Sequence, residues 1–306
     1  MLNKGKIIIA TRSSPLALVQ AELVKSLLEK RWSGLQVDLL KLKTQGDQIL
    51  DKPLRLVGGK GLFVKESDEA LLDKRADLAV HSMKDVPADF SEDLEISVIL
   101  KREDPRDAWV SEKYSSLESL PQNAKIGTTS LRRKMQILKI RSDLKVLDLR
   151  GNVDTRLKKL KTGEYDGIIL ACAGLKRLGL SSLIREKLSF ICAPGQGAIG
   201  VECRKTDEEI KKLITPLNDV ETQICVEAER ILLKRLEGGC ELPVGAEAFL
   251  ENNKLHLKAF VASPDGKKYL EDEVVGDPVL AKDLGEKLSE ILLAQGASEI
   301  LAKIRK

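Results

Sequence analysis

The chain predicts an α/β fold with more than one domain. Three observations carry that reading: a length of 306 residues, the alternation of short apolar runs with helical stretches, and a change of pattern over the last third. At roughly 100–150 residues per domain, the length corresponds to two or three domains. Short strands alternating with amphipathic helices favour helices flanking sheets.

The elements follow in order. The compact apolar run 7–10 reads as a buried strand. Pro15 opens a helical stretch in which Leu23/Leu27 and Val24/Leu28 recur at four-residue spacing. Residues 37–42 read as a strand, 64–74 as an amphipathic helix and 77–80 as a strand. The charged, proline-containing break 101–106 is a candidate linker. A second set follows, with strands at 125–127, 145–149 and 165–171. Ser130 is positioned to cap a helix starting at Leu131, and 155–161 is helical. The turn 193–197, APGQG, is a second candidate crossing point, and 198–202 reads as a strand. The last third has a different character. Residues 219–236 form a long amphipathic helix with Ile224, Ala228, Ile231 and Leu232 on one side and Gly238 as a stop signal. Leu255, Leu257, Ala259 and Val261 alternate as in a half-exposed strand, and a final helix covers about 281–293. This part reads as a small α+β domain.

Composition narrows the function. Apolar residues make up 42% and charged residues 32%, which excludes a disordered chain and a membrane protein. No apolar run approaches the ~20 residues a bilayer span needs. The first apolar stretch is too short for a secretion signal, so a cytoplasmic location is expected. A net charge of +4 and 3% aromatics do not suggest a general nucleic-acid surface. Five cysteines with no CxxC pair, and only His81 and His256 as imidazoles, argue against a disulfide framework and a structural zinc site. No metal is expected.

The placement of basic residues is more informative. Arg12 lies just past the first strand. Arg132 and Arg133 sit in the first turn after GTTS, Arg150 ends a strand, Arg156 opens the next helix, and Arg177 follows the strand ending at Ala171. Strand-to-helix junctions of open α/β sheets form the crevice where ligands bind. Cations at helix starts run against the macrodipole, and a bound anion is one reason to tolerate them. Each arginine alone could be an ordinary surface residue; together they imply an anionic ligand without naming it.

Three further stretches could carry chemistry. Gly58–Gly61, GGKG, is either a flexible loop or a mobile lid bearing Lys60 and Phe63. HSMKDVP, 81–87, packs Ser82, Lys84 and Asp85 together. A carboxylate beside arginines stays ionised and can stabilise a cation or move protons, although a locally paired loop would look the same. His81 closes an apolar strand and reads as packed rather than as a base. Gly238, Gly239 and Cys240 expose a thiol that could be a nucleophile, an attachment point or neither. The other four cysteines read as core.

Together these pieces resemble the porphobilinogen deaminase (hydroxymethylbilane synthase) family. The matching motifs are IATRSSPLAL (8–17), TQGD (44–47), GGKGLFVKE (58–66), HSMKDVP (81–87) and GTTSLRR (127–133). They continue with LRGNVDTRL (149–157), ACAGLKRLG (171–179), APGQGAIGVE (193–202) and GGCELPVGA (238–246), in family order over nearly the whole chain. The resemblance implies two lobes resembling a type-2 periplasmic binding protein plus a small C-terminal α+β domain. The implied domains are 1–101 with 195–216, 102–194 and 217–306.

The resemblance also implies a dipyrromethane cofactor bound by a thioether through Cys240. Onto it the enzyme would condense four porphobilinogen molecules, each losing ammonia to give a reactive azafulvene. Hydrolysis would then release the linear tetrapyrrole hydroxymethylbilane. Asp85 matches the family's catalytic aspartate, and Lys60 and Phe63 match its lid. Arg12, Lys84, Arg132, Arg133, Arg150, Arg156 and Arg177 would bind pyrrole carboxylates. Ser14, Ser82, Thr128 and Ser130 would add hydrogen bonds, and Gln196 belongs to the same binding set. The enzyme would be a monomer and pass its product to a separate uroporphyrinogen-III synthase. Glu241 departs from the family's usual neighbour of the attachment cysteine and adds a negative charge there. The main rival, a two-lobed anion-binding protein without catalysis, leaves Cys240 and Asp85 unexplained, and near-balanced charge and scarce aromatics count against a second, a nucleic-acid binder.

Overall fold

The computed structural model describes residues 5–44, 64–87, 91–236 and 242–305. In chain order the elements are β1 (Lys6–Arg12), α1 (Pro15–Arg31), β2 (Gln36–Leu42), α2 (Lys65–Leu72), β3 (Leu78–Ser82) and β4 (Leu94–Ile99). Next come β5 (Asp107–Val110), β6 (Lys125–Gly127), α3 (Leu131–Ile140), β7 (Lys145–Leu147), α4 (Val153–Lys161), β8 (Gly167–Ala171), α5 (Cys172–Arg177) and β9 (Glu186–Leu188). The remainder is β10 (Ile199–Arg204), α6 (Glu208–Ile214), α7 (Val220–Arg235), β11 (Val244–Glu251), β12 (Lys254–Ala262), β13 (Tyr269–Gly276), α8 (Ala281–Ala294) and α9 (Ala297–Arg305).

The chain divides into two compact units, Met1–Glu103 with Ala198–Gln223, and Asp104–Gly197 with Ile224–Lys306. The first unit holds a five-stranded sheet of order β2-β1-β3-β10-β4, in which β1 is parallel to β2 and β3 while β10 runs antiparallel to β3 and β4. Its core joins Ile7 and Ile9 of β1, Val24 and Leu28 of α1, and Ile199 and Val201 of β10. Ser14 caps α1 by accepting the Ala17 N–H, and Pro15 follows where its missing N–H costs nothing.

The second unit repeats the pattern. Its sheet order is β7-β6-β8-β5-β9, with β6 parallel to β7 and β8 and β5 antiparallel to β8 and β9. The same unit contains a three-stranded antiparallel sheet, β11-β12-β13, whose apolar face packs on α7, α8 and α9. A buried carboxylate on α7 ties these parts together: Glu229 accepts the N–H of Gly195 (2.6 Å) and of Ala248 in β11 (2.7 Å). Gly245 allows Phe260 and the Ile191 carbonyl to come close, since a Cβ there would lie 2.5 Å from the ring.

The second and third sheets lie in one compact unit, and the segment returning to the first unit runs from 198 to 223. Hydrogen bonds hold the chain at these limits. Gln196 donates to the Pro105 carbonyl and to Asp107, whereas Asn218 and Asp219 bond Ile99, and Thr222 accepts the Arg102 N–H. Most expected elements occur within a residue or two of their positions. β4, β5, β9, β11, β13, α5, α6 and α9 are additional, and β7 ends at Leu147, so Leu149 and Arg150 lie in the loop beyond it. Cys172, Cys192, Cys203 and Cys225 are buried, and burial pushes the Cys172 thiol up to about 11, as suits core thiols.

Gly167 of β8 lies against the fully buried Trp109; a Cβ there would sit 1.9 Å from the indole. Gly167→Ala is expected to cost about 1–3 kcal/mol through overpacking. Urea denaturation followed by Trp fluorescence measures this; an unchanged midpoint would refute the packing role.

Candidate active site

Parallel pairing of β1 and β3, with Ile9 opposite Leu78 and Ala10 opposite Ala79, brings both carboxyl ends to one edge of the first sheet. Arg12 ends β1 and Ser82 ends β3. A 3-10 turn, Met83–Asp85, then carries Lys84 and Asp85. Met83 is buried, and its N–H donates to the Ala198 carbonyl (3.1 Å). Gly200 makes room for it, since a Cβ there would be 2.3 Å from the Met83 sulfur. The turn is thereby pinned while Lys84 and Asp85 stay half-exposed.

Asp85 lines a small recess with Arg12, Gln20, Val64, His81 and Ser82. Gln20 and Ser82 fix one another: Gln20 Nε2 donates to Ser82 Oγ at 2.8 Å, and the serine hydroxyl lies 3.2 Å from Gln20 Oε1. His81 is buried, as its place in an apolar strand suggests, with Nε2 2.8 Å from Glu202 Oε2. A guanidinium, a hydroxyl and a carboxylate thus share one concavity in the first unit.

The second unit has the same logic. Parallel β6, β7 and β8 end at one edge, where the chain presents Thr128 and Ser130, then Arg150, then Arg177. Antiparallel β5 begins at that edge, with Asp107 opposite Ala171. Asp107 is fully buried and gathers three of the expected site residues. Arg133 donates Nε (3.0 Å) and Nη2 (2.7 Å) to Oδ1, Gln196 Nε2 donates to the same oxygen (3.0 Å), and Arg132 Nη1 lies 2.8 Å from Oδ2. Arg132, Arg133 and Gln196 are only 4%, 6% and 1% exposed, so their polar atoms are turned inward onto Asp107. Burial alone would raise the Asp107 pKa, but Arg132 and Arg133 outweigh it and hold the carboxyl well below the usual range. Two guanidiniums share one carboxylate, which leaves the cluster with surplus positive charge.

The other expected residues fall on the same edges. Ser130 Oγ caps α3 by accepting the Arg133 N–H (3.4 Å), and Thr128 Oγ1 accepts the Ser130 N–H (3.2 Å). Arg156 Nε donates to the Gly151 carbonyl and Arg177 Nη2 to the Gly197 carbonyl, each at 2.7 Å. Arg150, Arg156 and Arg177 are half-exposed. Cys240 with its neighbour Glu241, and Lys60 and Phe63, lie outside the described residues. Sequence reasoning misses Gln20, Asp107 and Glu202. Gln20 has a visible signal, because it shares a helical stripe with Val24 and Leu28. Asp107 looks like the tail of a charged linker, and Glu202 ends the APGQGAIGVE motif without any local sign of its partner His81.

Residues 7–212 match the family model for the porphobilinogen deaminase "dipyromethane cofactor binding domain", and residues 223–294 match the model for its C-terminal domain. The chain belongs to the porphobilinogen deaminase family. It is a hydroxymethylbilane synthase, a transferase of tetrapyrrole biosynthesis that acts on porphobilinogen and uses a dipyrromethane cofactor. Among the described residues no helix is long and apolar enough to cross a membrane.

Solved structures to which the chain is similar include a methionine-binding protein, MetQ, at 15% identity, covering 72% of this chain and 92% of that one with a TM-score of 0.44. A methionine-bound nutrient-binding protein from Burkholderia cenocepacia matches at 14% identity, 68% and 90% coverage and a TM-score of 0.43. The periplasmic aliphatic sulphonate binding protein SsuA from Escherichia coli matches at 14% identity, 77% and 71% coverage and a TM-score of 0.40.

The donor set in the structure suits a dipyrromethane. Such a group carries acetate and propionate side chains, which guanidiniums and hydroxyls accommodate, and pyrrole N–H groups, which a carboxylate accepts. Asp85 beside Arg12 and Ser82 offers both kinds of partner in one recess.

Asp107→Asn is expected to destabilise the protein by about 3–5 kcal/mol, because two buried guanidiniums lose their counter-charge. The folded-state pKa of Asp107 is depressed, so its stabilisation is present above its ordinary 3.8 and is lost as pH falls through the folded-state value. Thermal melts across that acid range should therefore show a steeper loss in the parent than in the variant. Equal slopes would remove Asp107 from the acid response.

Proposed function

We propose that this enzyme joins four porphobilinogen units, with loss of ammonia, onto a dipyrromethane held by a thioether at Cys240, and releases hydroxymethylbilane by hydrolysis. The observation that carries the reading is Asp85 set in one recess with Arg12 and Ser82, on the motif the family shares. When bound, the cofactor supplies the free pyrrole α-carbon to which the first unit is joined.

The chain's own residues do the rest. Asp85 accepts pyrrole N–H groups and stabilises the positive charge that develops on the reacting ring. Arg12, Ser82 and Lys84 hold carboxylates beside it, with Ser14 adding a hydroxyl. Gln20 keeps the Ser82 hydroxyl oriented. In the second unit Arg150, Arg156 and Arg177 bind further acetate and propionate groups, with Thr128 and Ser130 behind them. Arg132 and Arg133 add the surplus charge of the Asp107 cluster to the binding of these groups, and Gln196 holds that cluster in register. Planar guanidiniums suit this task because they pair with carboxylates through two parallel hydrogen bonds. Lys60 and Phe63 act as a lid that excludes water during condensation. The enzyme works as a cytoplasmic monomer, and its product passes to a separate uroporphyrinogen-III synthase.

Intact mass of the denatured protein, followed by peptide mapping, tests the attachment. A dipyrromethane adduct is expected on the Cys240 peptide and is expected to vanish in Cys240→Ser; an adduct that persists there moves the anchor to another residue. Asp85→Asn should fold, keep the adduct and lose turnover by about 10²–10⁴-fold, the range for a positioned acid–base or charge-stabilising group. Near-normal turnover in that variant would sink the role given to Asp85.

A further inference from the structure

Behind the recess lies a group of ionisable residues that the mechanism above does not use. His81 of β3 is bonded through Nε2 to Glu202 Oε2 of β10 at 2.8 Å, and both residues are buried. Pairing of β3 with β10, with Gly200 opposite His81 and Glu202 opposite Ala79, fixes this contact. The second oxygen of Glu202, Oε1, is buried with no hydrogen-bond partner among the described residues, and so is Oδ1 of Asp68 on α2. α2 packs on both β3 and β10. Unpartnered acid oxygens in the interior cost free energy unless a proton joins them to a neighbour. On its other side, His81 lines the same recess as Asp85.

We propose that Asp68, Glu202 and His81 form a buried proton-holding relay that meets the recess at His81 and takes up the proton freed at each condensation. This rests on the reading of Asp85 and of the condensation given above. In that step the aminomethyl C–N bond breaks and its electron pair leaves with nitrogen. A C–C bond forms at the acceptor α-carbon, which loses its hydrogen as a proton. The relay stores that proton and returns it to the nitrogen of the next porphobilinogen as its C–N bond breaks, so each cycle releases neutral ammonia, no external acid or oxidant is required, and Asp85 stays charged to stabilise the ring.

The surroundings favour a held proton. Burial, and next the charge of Glu202, push the Asp68 carboxyl up to about 7; Glu69 on its own helix adds to this and His81 opposes it. Glu66 also lies on α2. On β10, Arg204 is engaged with the Leu71 and Ala76 carbonyls and with Asp207, and Arg12 of β1 lines the recess with His81. Asp68, Glu202 and His81 act through one another rather than on substrate, so they are positioning residues.

The test uses the holoenzyme of the parent and of Asp68→Asn, each checked for the cofactor adduct by intact mass. Infrared difference spectra of the resting parent should show a carboxylic acid that ionises near about pH 7, absent from the variant. Asp68→Asn should lower kcat about tenfold with little change in KM and shift the limb of the pH–kcat profile that lies near neutrality, and Asp68→Glu should restore both. A parent with no such infrared signal, or a well-folded Asp68→Asn with an unchanged pH profile, overturns the relay. If Asp68→Asn does not fold, the infrared titration of the parent decides alone. Failure of the underlying reading looks different: the parent would not consume porphobilinogen, or Asp85→Asn would run at full rate.

Discussion

Parallel strand pairing is the constraint on which both units depend. Strands that run the same way must end at the same edge, and the residues following them are delivered together whatever their separation in sequence. In the first unit this rule brings Arg12 to the edge that carries Ser82 and Asp85. In the second it gathers Thr128, Ser130, Arg150 and Arg177. The antiparallel strand inserted in each sheet adds a carboxylate from a distant part of the chain. β10 contributes Glu202 to the first sheet, and β5 contributes Asp107 to the second.

Those two carboxylates are buried in opposite electrostatic settings. Asp107 sits among more guanidiniums than it can neutralise, so its neighbourhood keeps surplus positive charge suited to carboxylated ligands. Glu202 is bonded to one imidazole, and its charge adds to burial in pushing the Asp68 carboxyl up. The sign of the surplus decides the chemistry: an excess of cations attracts anions, while an excess of carboxylates raises proton affinity. Neutral side chains hold the geometry around both. Gln20 fixes Ser82, and Gln136 pairs with both the N–H and the carbonyl of Ile191, so helix α3 is anchored to the segment that leads into the APGQG turn.

Much of this was legible in the chain. Apolar runs marked β1, β3 and β8, and four-residue spacing marked α1 and α7, because burial on one face or two imposes those periods directly. The motifs HSMKDVP, RGNVDTRL and GTTSLRR drew attention to Asp85 and the arginines, and the family match bears out the enzyme class. What was harder to read were the short elements. β5 and β9 span three or four residues with no period to detect, and α5 follows β8 without a cap.

By itself, then, the sequence determined the enzyme family, the alternation of strands and helices, and the candidate set of charged residues, since these reside in local order and composition. Only the tertiary structure decided that Arg132, Arg133 and Gln196 converge on Asp107, that Gln20 orients Ser82, and that Glu202 stands behind His81. Each of those partnerships joins residues 25 to 121 positions apart, and strand order, not spacing, brings them together.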